Sequence, residues 1–269
     1  MSRSAFPGAG RAGYDLAAVA VLWRRDLLRF FRQPSRLLGA LGQPVIFWLV
    51  IGTGMAGTFR MPGSPVGYLQ FFFPGVVLMV VLFAAIFTTL SVIEDRHAGF
   101  LQAVLAGPAS RPAVVTGKVL GSASVALTQA ALFLLLAPAA GFPFGSVNWP
   151  LLAAALALAA VGLAGLGFAV AWLVDNVQGY HAIQMTLLVP LWVVSGAMFP
   201  ASPEHPVFAA AMRFNPVAYA VSLVRRALAG AGAPGVLPGS ALRSLALLGL
   251  FAASCLLLAT AAARRRATR

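Results

Sequence analysis

Charged residues and cysteine are both scarce in this chain of 269 residues. Asp, Glu, Lys and Arg together make up 9% of the sequence, whereas 60% of the residues are apolar. A soluble domain usually carries about 25% charged residues, so this composition excludes one and indicates a membrane protein. The one cysteine, Cys255, allows no internal disulfide and no multi-thiolate metal site. The three histidines, at 97, 181 and 205, lie far apart, so no metal site is expected.

Acidic side chains are scarcer than basic ones, with six Asp and Glu against 19 Lys and Arg and a net charge of +13. A basic excess of this size suits nucleic acid, anionic lipid or the cytoplasmic side of a membrane. The position of the arginines decides between them, because seven stand before residue 37 and four after residue 263. Clusters that flank the apolar part of the chain indicate a membrane orientation signal, so no nucleic-acid partner is expected.

Long apolar runs make up most of the remaining sequence. A bilayer core of about 30 Å needs on the order of 20 apolar residues in a helix. Six runs are of about this length and contain no Asp, Glu, Lys, Arg or His: residues 37–57, 66–92, 119–140, 151–174, 182–199 and 244–263. The sequence therefore predicts an all-α membrane protein, with one transmembrane domain of six helices over residues 1–269.

The predicted topology follows from the positive charges. Six spans place both termini on one side, and the arginine-rich ends make that side cytoplasmic. This arrangement leaves 14 of the 19 basic residues inside and 5 outside, and it predicts a multi-pass protein of the cytoplasmic (inner) membrane. The first apolar run begins only at Leu37, behind several arginines, so the N-terminal segment is not expected to be a cleaved secretory signal.

Ionisable side chains are missing from all six runs, although proton and ion relays in membranes depend on such groups. A proton-coupled carrier is therefore disfavoured, and the energy for uphill transport would come from outside the bilayer. Uncharged polar side chains do occur in the runs, and each could either line a substrate path or hold helices together. The candidate path residues are Thr88, Thr89, Gln129, Gln184 and Ser195.

The motifs that would carry catalysis or nucleotide binding are incomplete. Residues 52–57 spell the glycine pattern of a dinucleotide site, but no acidic residue follows within about 20 residues to hold a ribose. The pair Gly117-Lys118 lacks the Ser or Thr and the earlier glycine of a phosphate-binding loop. Ser195 lacks the frame of a serine nucleophile, and no histidine lies inside a span. We expect no catalytic residue, no metal, no cofactor and no ATPase site in this chain.

Residues 14–33, ahead of the first span, carry an amphipathic pattern. Apolar side chains recur at spacings of three or four residues, at Leu16, Val19, Trp23, Leu27 and Phe30. This spacing predicts a helix that lies along the inner membrane surface, with Pro34 making a corner into the first span. The alternative is an ordinary basic anchor with no role in energy transduction.

The cytoplasmic segment 94–111 opens with two acidic residues and then carries apolar residues at 100, 101, 104 and 105. This pattern predicts a short amphipathic helix that ends before Pro108. Such a helix is either a docking face for a partner or a solvated turn, and the pattern alone leaves both open.

Residues 204–229 are predicted to form one or two short helices on the outer side of the membrane. Asn215 is a good N-cap, and Pro216 suits the first helical position. Residues 216–229 would extend about 21 Å at about 1.5 Å per residue, which is too short to cross a bilayer. The alternative is a seventh span, which would carry Arg225 and Arg226 inward.

The order of these elements resembles the membrane subunit of type-2 ABC exporters, and in particular the drug-resistance and lipo-oligosaccharide (nodulation-factor) export permeases. The resemblance covers nearly the whole chain. It rests on the wording Arg32-Gln-Pro34-Ser-Arg36, Glu94-Asp-Arg-x-x-Gly99, Pro108-x-Ser-Arg111, Gly117-Lys118 and Asn215-Pro216. Many members of the family carry Gly-Thr where this chain has Gly99-Phe100.

The resemblance implies that residues 94–111 form the coupling helix, which contacts a separate ABC ATPase subunit, and that residues 175–180 form a second contact. The implied coupling residues are Glu94, Asp95, Arg96, Gly99, Phe100, Leu101 and Arg111. It also implies that the helices before the last span are re-entrant, with Asn215 and Pro216 in a cap over the exit.

By the same resemblance, two ATPase subunits and a second permease copy would complete the exporter, with the permease as a homodimer in membrane lipid. Its cargo would be amphipathic, such as a drug, a lipid or a lipid-linked sugar, and ATP would be bound by the partner. The alternative from another class is a non-transporting membrane scaffold that recruits anionic lipid or a cytoplasmic partner through its basic inner face.

Overall fold

The computed structural model describes residues 11–57, 66–200 and 206–265. Within these residues the chain is helical and contains no β-strand, as the apolar runs predict. The helices are α1 (Arg11–Phe31), α2 (Pro34–Gly54), α3 (Tyr68–Thr88), α4 (Ser91–His97), α5 (Phe100–Leu105), α6 (Arg111–Leu134), α7 (Trp149–Leu173), α8 (Val177–Val193), α9 (Pro206–Phe214), α10 (Pro216–Ala229) and α11 (Ala241–Arg265), with a 3-10 turn at Phe144–Ser146. The predicted positions of Arg60 and Glu204, and of the arginines at 3, 266 and 269, lie outside the described residues.

Polar residues fix where four of the helices begin. A side-chain oxygen of the residue before each helix accepts a hydrogen bond from a backbone N–H in the first turn, as an N-cap does. The capping residues are Ser110 for α6, Asn148 for α7, Asn176 for α8 and Asn215 for α10. The last of these agrees with the cap predicted from the sequence.

Four helical stretches in the described part of the chain are long and apolar enough to cross a membrane. They are residues 68–97, where α3 and α4 are taken together, α6, α7, and residues 241–264 of α11. They overlap the second, third, fourth and sixth predicted spans. A fifth would be the α9–α10 pair if it acted as one span, although these two helices meet at 90°.

The first and fifth predicted spans correspond to α2 and α8, and neither is among these four stretches. Helix α2 has 21 residues and α8 has 17. By length and composition alone, the described helices therefore give four or five spans, and the six-span topology stays a prediction.

The sequence placed two helices incorrectly at their bounds. The third predicted span, 119–140, starts too late, because α6 begins at Arg111 and runs through Lys118 before it ends at Leu134. The fifth, 182–199, is also displaced, because Asn176 caps α8 and the helix ends at Val193. In both cases the helix begins with residues that include polar or charged side chains, and a search for charge-free runs leaves such residues out.

Helix α3 lies at the centre of the fold, where it packs against α2, α6, α7 and α10. Most of its side chains are buried, which explains why its sequence is apolar all round instead of amphipathic. A glycine on α3 permits one close approach: a Cβ at Gly75 would lie 2.7 Å from the carbonyl oxygen of Ala197. Helix α11 packs on α7 and leaves leucines exposed on its other side.

Helix α1 packs lengthwise against α6 through two glycines. A Cβ added to Gly117 would lie 3.1 Å from the Cα of Val19, and one added to Gly121 would lie 3.0 Å from the Cβ of Asp26. Small residues four apart allow two helices to approach closely, as they do in membrane helix pairs. The glycines at residues 117 and 121 therefore allow α1 to pack closely on α6.

The buried face of α1 differs from the predicted apolar stripe. Leu22, Asp26 and Phe30 are buried against the protein, whereas Leu16 and Trp23 are exposed. Asp26 is not one of the residues of the predicted apolar stripe. Its burial depends on a partner on α6. The position of α1 along the membrane surface stays a prediction.

Candidate coupling site and substrate path

The chain's one lysine is at the centre of a buried cluster of charges. Lys118 Nζ on α6 lies 3.0 Å from Asp26 Oδ1 on α1 and 2.5 Å from Asp95 Oδ2 on α4. It also donates to Ser91 Oγ at 3.4 Å. The lysine and both aspartates are at most 3% exposed. Burial raises the pKa of the Asp26 carboxyl, and the Lys118 ammonium opposes that shift.

Two arginines of α1 extend this cluster towards the surface. Arg25 donates to both carboxylate oxygens of Asp95 at 2.7 Å, and its guanidinium lies 3.9 Å above the ring of Phe100. Arg29 donates to Glu94 at 2.7 Å. We give the name charge clamp to the six charged side chains Arg25, Asp26, Arg29, Glu94, Asp95 and Lys118. It ties α1, α4 and α6 together, and the bidentate Arg25 pair is the strong form of such a bond.

On its other side, α4 is bound to the corner between α7 and α8. Arg96 donates to the carbonyl oxygens of Ala171, Trp172 and Val174 at the end of α7, at 3.2, 2.9 and 3.1 Å. It also pairs with the Asp175 carboxylate at 3.1 Å. A cation at the C-terminal carbonyls of a helix is favourable because the helix dipole is negative there. His97 Nε2 lies 2.9 Å from the Asp175 carbonyl oxygen.

The end of segment 94–111 is likewise bound within the chain. Arg111 donates to the carbonyl oxygens of Ala263 and Arg264 at the end of α11, at 3.2 and 3.1 Å. Ser110 donates through its backbone N–H and its hydroxyl to the carboxylate of Asp15 on α1, at 2.6 and 2.8 Å. The implied coupling segment is therefore fixed to α1, α6, α7 and α11.

Segment 94–111 contains two short helices where the sequence predicts one. Gly99 separates α4 from α5 with a φ of +74°, a left-handed conformation that glycine adopts without strain. Leu101 and Asp95 are buried, so neither is available at the surface of this chain. Ala106, Gly107 and Pro108 are exposed after α5, and five other exposed positions surround the Gly99 corner: His97, Ala98, Gly99, Gln102 and Ala103. We call these five residues the exposed tip.

A cavity of about 470 Å³ lies between α1, α2, α3, α4, α6 and α8. Two of the five predicted path residues, Thr88 and Gln129, line it. One end carries the charged side chains Asp26, Arg29 and Glu94, and the rest is largely apolar, with Met79, Val80, Phe83 and Phe87. The cavity is thus amphipathic, and the charge clamp forms its polar end.

The other three predicted path residues lie outside this cavity. Thr89 Oγ1 bonds the Tyr180 hydroxyl at 2.5 Å, and Ser195 Oγ donates to the Trp192 carbonyl oxygen at 2.5 Å. Gln184 is buried in α8. The Thr89 bond joins the end of α3 to α8, as expected when a polar side chain holds helices together. The Ser195 bond is local, to a carbonyl three residues earlier.

The α9–α10 pair has the caps that the sequence predicts. Asn215 accepts from the backbone N–H of Val217 at 2.9 Å and donates to the Leu191 carbonyl oxygen at 2.6 Å, which ties the pair to α8. Pro216 starts α10, and Gly230 ends it with a φ of +87°. The sequence did not predict that Arg225 is buried, at 2% exposure.

The two glycine motifs lie in helical segments. Lys118 on α6 bonds the carboxylates of Asp26 on α1 and Asp95 on α4, and residues 52–57 form the end of α2 and a turn. Within the described residues, no three His, Cys, Asp or Glu side chains come together as a metal site would need.

Sequence reasoning missed the charge clamp, although a signal was present. Lys118 is the one lysine among 19 basic residues, and it follows Gly117 and precedes Gly121 on the face where another helix can approach. Asp26 is the one acid within a run of arginines on α1. A cation beside small residues and an isolated acid on an amphipathic helix together indicate a buried pair.

Comparison with known proteins assigns the family. The profile of the ABC-2 type transporter family matches residues 17–229. The chain is 29% identical to nodulation protein J of Rhizobium leguminosarum bv. trifolii, over 81% of this chain and 83% of that protein. It is 25% identical to a daunorubicin resistance ABC transporter permease protein of Streptomyces coeruleorubidus, over 82% and 77%. Because the family profile covers most of the chain, this protein belongs to the ABC-2 type transporter family.

Proposed function

We propose that this chain is the permease subunit of an ATP-driven exporter and that a separate ABC ATPase drives it through the exposed tip. The observation that carries the proposal is how the exposed tip is bonded to the rest of the chain. Segments 94–111 and 175–180, which the resemblance implies as ATPase contacts, lie side by side and are bonded through Arg96 and His97 to Asp175. One surface can therefore receive a partner at both segments.

The same bonds would transmit a displacement of the exposed tip to the membrane helices. A displacement of the tip acts on α7 through Arg96, and on α1 and α6 through Asp95 and its bonds to Arg25 and Lys118. ATP-driven closure of two ATPase subunits would move these helices together, and the membrane domain would change between inward-facing and outward-facing states. Export needs such a two-state element.

A second copy of the chain would complete the path, giving a homodimer in the inner membrane with both termini cytoplasmic. Helix α8 supports this arrangement because it contributes His181 and Met185 to the cavity, yet leaves Ile183, Leu187 and Val189 exposed beside it. Helix α2, on the same cavity, exposes Ile46 and Val50. These apolar faces are suited to a partner helix.

The cavity supports an amphipathic cargo such as a drug, a lipid or a lipid-linked sugar. An apolar wall with a charged end would hold the tail and the polar part of one molecule at the same time. We propose that the α9–α10 pair is re-entrant and caps the exit, which its 90° bend favours.

We expect photocrosslinking from the exposed tip to capture the ATPase. Benzoylphenylalanine would replace Ala98 or Ala103, both exposed, and Leu250 of α11, which is 65% exposed, would be the control position. Irradiation of native membranes should join an ATP-binding subunit to the two tip positions, identified by mass spectrometry, and not to the control. Capture of a protein without an ATPase site would favour the scaffold alternative, and equal capture at residue 250 would remove the tip's role.

Cargo binding can be followed with daunorubicin, the drug in the name of one relative, through its fluorescence on the purified chain. Removing the ring in Phe83→Ala should weaken binding about tenfold, because burial against a phenylalanine is worth roughly 1.5–3 kcal/mol. Phe199→Ala is the matched control, since Phe199 is exposed and does not line the cavity. Equal losses in both variants would show that daunorubicin binds elsewhere.

A further inference from the structure

We propose that the face of α1 that is turned away from the rest of the protein carries a binding site for the headgroup of an anionic phospholipid. A groove runs along this face, lined by Arg24, Arg25, Arg29 and Arg32 together with Val21 and Leu28. Four guanidinium groups on about two turns of one helix attract an anion, and guanidinium matches phosphate by two parallel hydrogen bonds. We call this surface the arginine groove.

The acids that the structure describes neutralise only part of the groove. Of the chain's six acidic residues, five are described, and two of them, Asp95 and Glu94, pair with Arg25 and Arg29 of the groove. Asp15 bonds Ser110, Asp175 pairs with Arg96, and the remaining three are Asp26, Glu94 and Asp95 of the charge clamp. Within the described residues, Arg24 and Arg32 therefore have no carboxylate partner, and both are exposed. A bound anion can therefore supply their counter-charge.

The surroundings of the groove favour a lipid over an acidic protein. Val21 and Leu28 within it are 63% and 41% exposed, and Trp23 and Phe31 on the adjoining side of α1 are 41% and 53% exposed. Apolar and aromatic side chains interleaved with arginines are typical of helices at the boundary between headgroups and acyl chains. A soluble partner bound only to the arginines would leave this apolar surface in water.

The groove shares two arginines with the charge clamp. Arg25 and Arg29 line it while they hold Asp95 and Glu94. A lipid phosphate bound there would therefore lie beside the bonds that fix α1 to α4. Lipid binding needs no ATPase and no cargo, so it can be measured on the purified chain by itself.

The test is native mass spectrometry of the purified chain titrated with phosphatidylglycerol or phosphatidylcholine. The variant is Arg24→Gln with Arg32→Gln, because these two residues are exposed and have no partner to lose. The matched control is Arg213→Gln with Arg243→Gln, which removes the same charge from exposed positions outside the groove. The groove variant should bind phosphatidylglycerol about tenfold more weakly, and its binding of phosphatidylcholine should not change. The control should bind both lipids as the unmodified chain does.

A second variant separates charge from folding. Arg24→Lys with Arg32→Lys should retain most of the phosphatidylglycerol binding, and all variants should melt at the temperature of the unmodified chain. Equal phosphatidylglycerol binding by the Gln variant and the control would overturn the proposal. So would parallel losses of both lipids, which indicate apolar insertion only. If the Gln variant still binds phosphatidylglycerol but no longer recovers the ATPase from membranes, the groove is the site of a protein partner.

Discussion

Lys118→Met is expected to destabilise the folded protein by about 3–5 kcal/mol, the usual cost of removing one partner from a buried ion pair. Asp26 and Asp95 would be left close together without the ammonium that lies between them, and both are almost fully buried. Methionine is close to lysine in length, so the loss arises from charge and not from a cavity. Thermal unfolding in detergent, together with abundance in the membrane, measures the effect.

The double variant Lys118→Met with Asp26→Asn is the control for this interpretation. It removes one of the two stranded carboxylates, while Asp95 keeps its bidentate bond to Arg25. Stability should therefore recover by roughly half, whereas additive losses would be expected if the residues acted independently. A melting temperature of Lys118→Met close to that of the unmodified chain would contradict the charge clamp.

Arg225→Met is expected to cost about 3 kcal/mol, because buried carbonyl oxygens that lose their donor cost roughly 1–3 kcal/mol each. Arg225 donates to the carbonyl oxygens of Gly235, Ala197 and Phe71 at 3.2, 3.3 and 3.4 Å. Its guanidinium also lies 4.1 Å above the ring of Phe71. One side chain thus joins α10 to α3, to the segment after α8 and to the loop before α11.

The neighbouring arginine is the matched control for this prediction. Arg226 is only half-buried and donates to Gly239 O at 2.8 Å near the surface. Arg226→Met should therefore cost less than about 1 kcal/mol. Equal melting temperatures for the two variants would mean that Arg225 does not hold the α9–α10 pair in place.

The sequence predicted the helices best where a local signal fixes them. Apolar runs located the four longest spans, and Asn215 with Pro216 located the start of α10 to the residue. N-caps and hydrophobic length depend on neighbours within a few residues, so a single sequence contains them. Such signals do not fix the number of spans, because α2 and α8 are predicted spans that are not among the four long apolar stretches.

The charge clamp depends on contacts that a single sequence does not display. Lys118 meets Asp26 across 92 residues and Asp95 across 23. A search for charge-free runs treats Lys118 as the end of a span, although a charged side chain can continue a helix when buried partners neutralise it. Asp95 and Leu101, which the resemblance implies as partner contacts, are internal, and Gly99 is the one implied residue that belongs to the exposed tip.

In the proposed exporter, this chain supplies the membrane path and a separate subunit hydrolyses ATP. The most direct test is to titrate the purified chain with ATP by calorimetry, and then to measure ATP hydrolysis after adding the ATPase captured at the exposed tip. We expect no nucleotide binding by the chain alone and steady hydrolysis by the complex, because Gly117-Lys118 lacks the Ser or Thr and the earlier glycine of a phosphate-binding loop. Stoichiometric ATP binding to the isolated chain would contradict it.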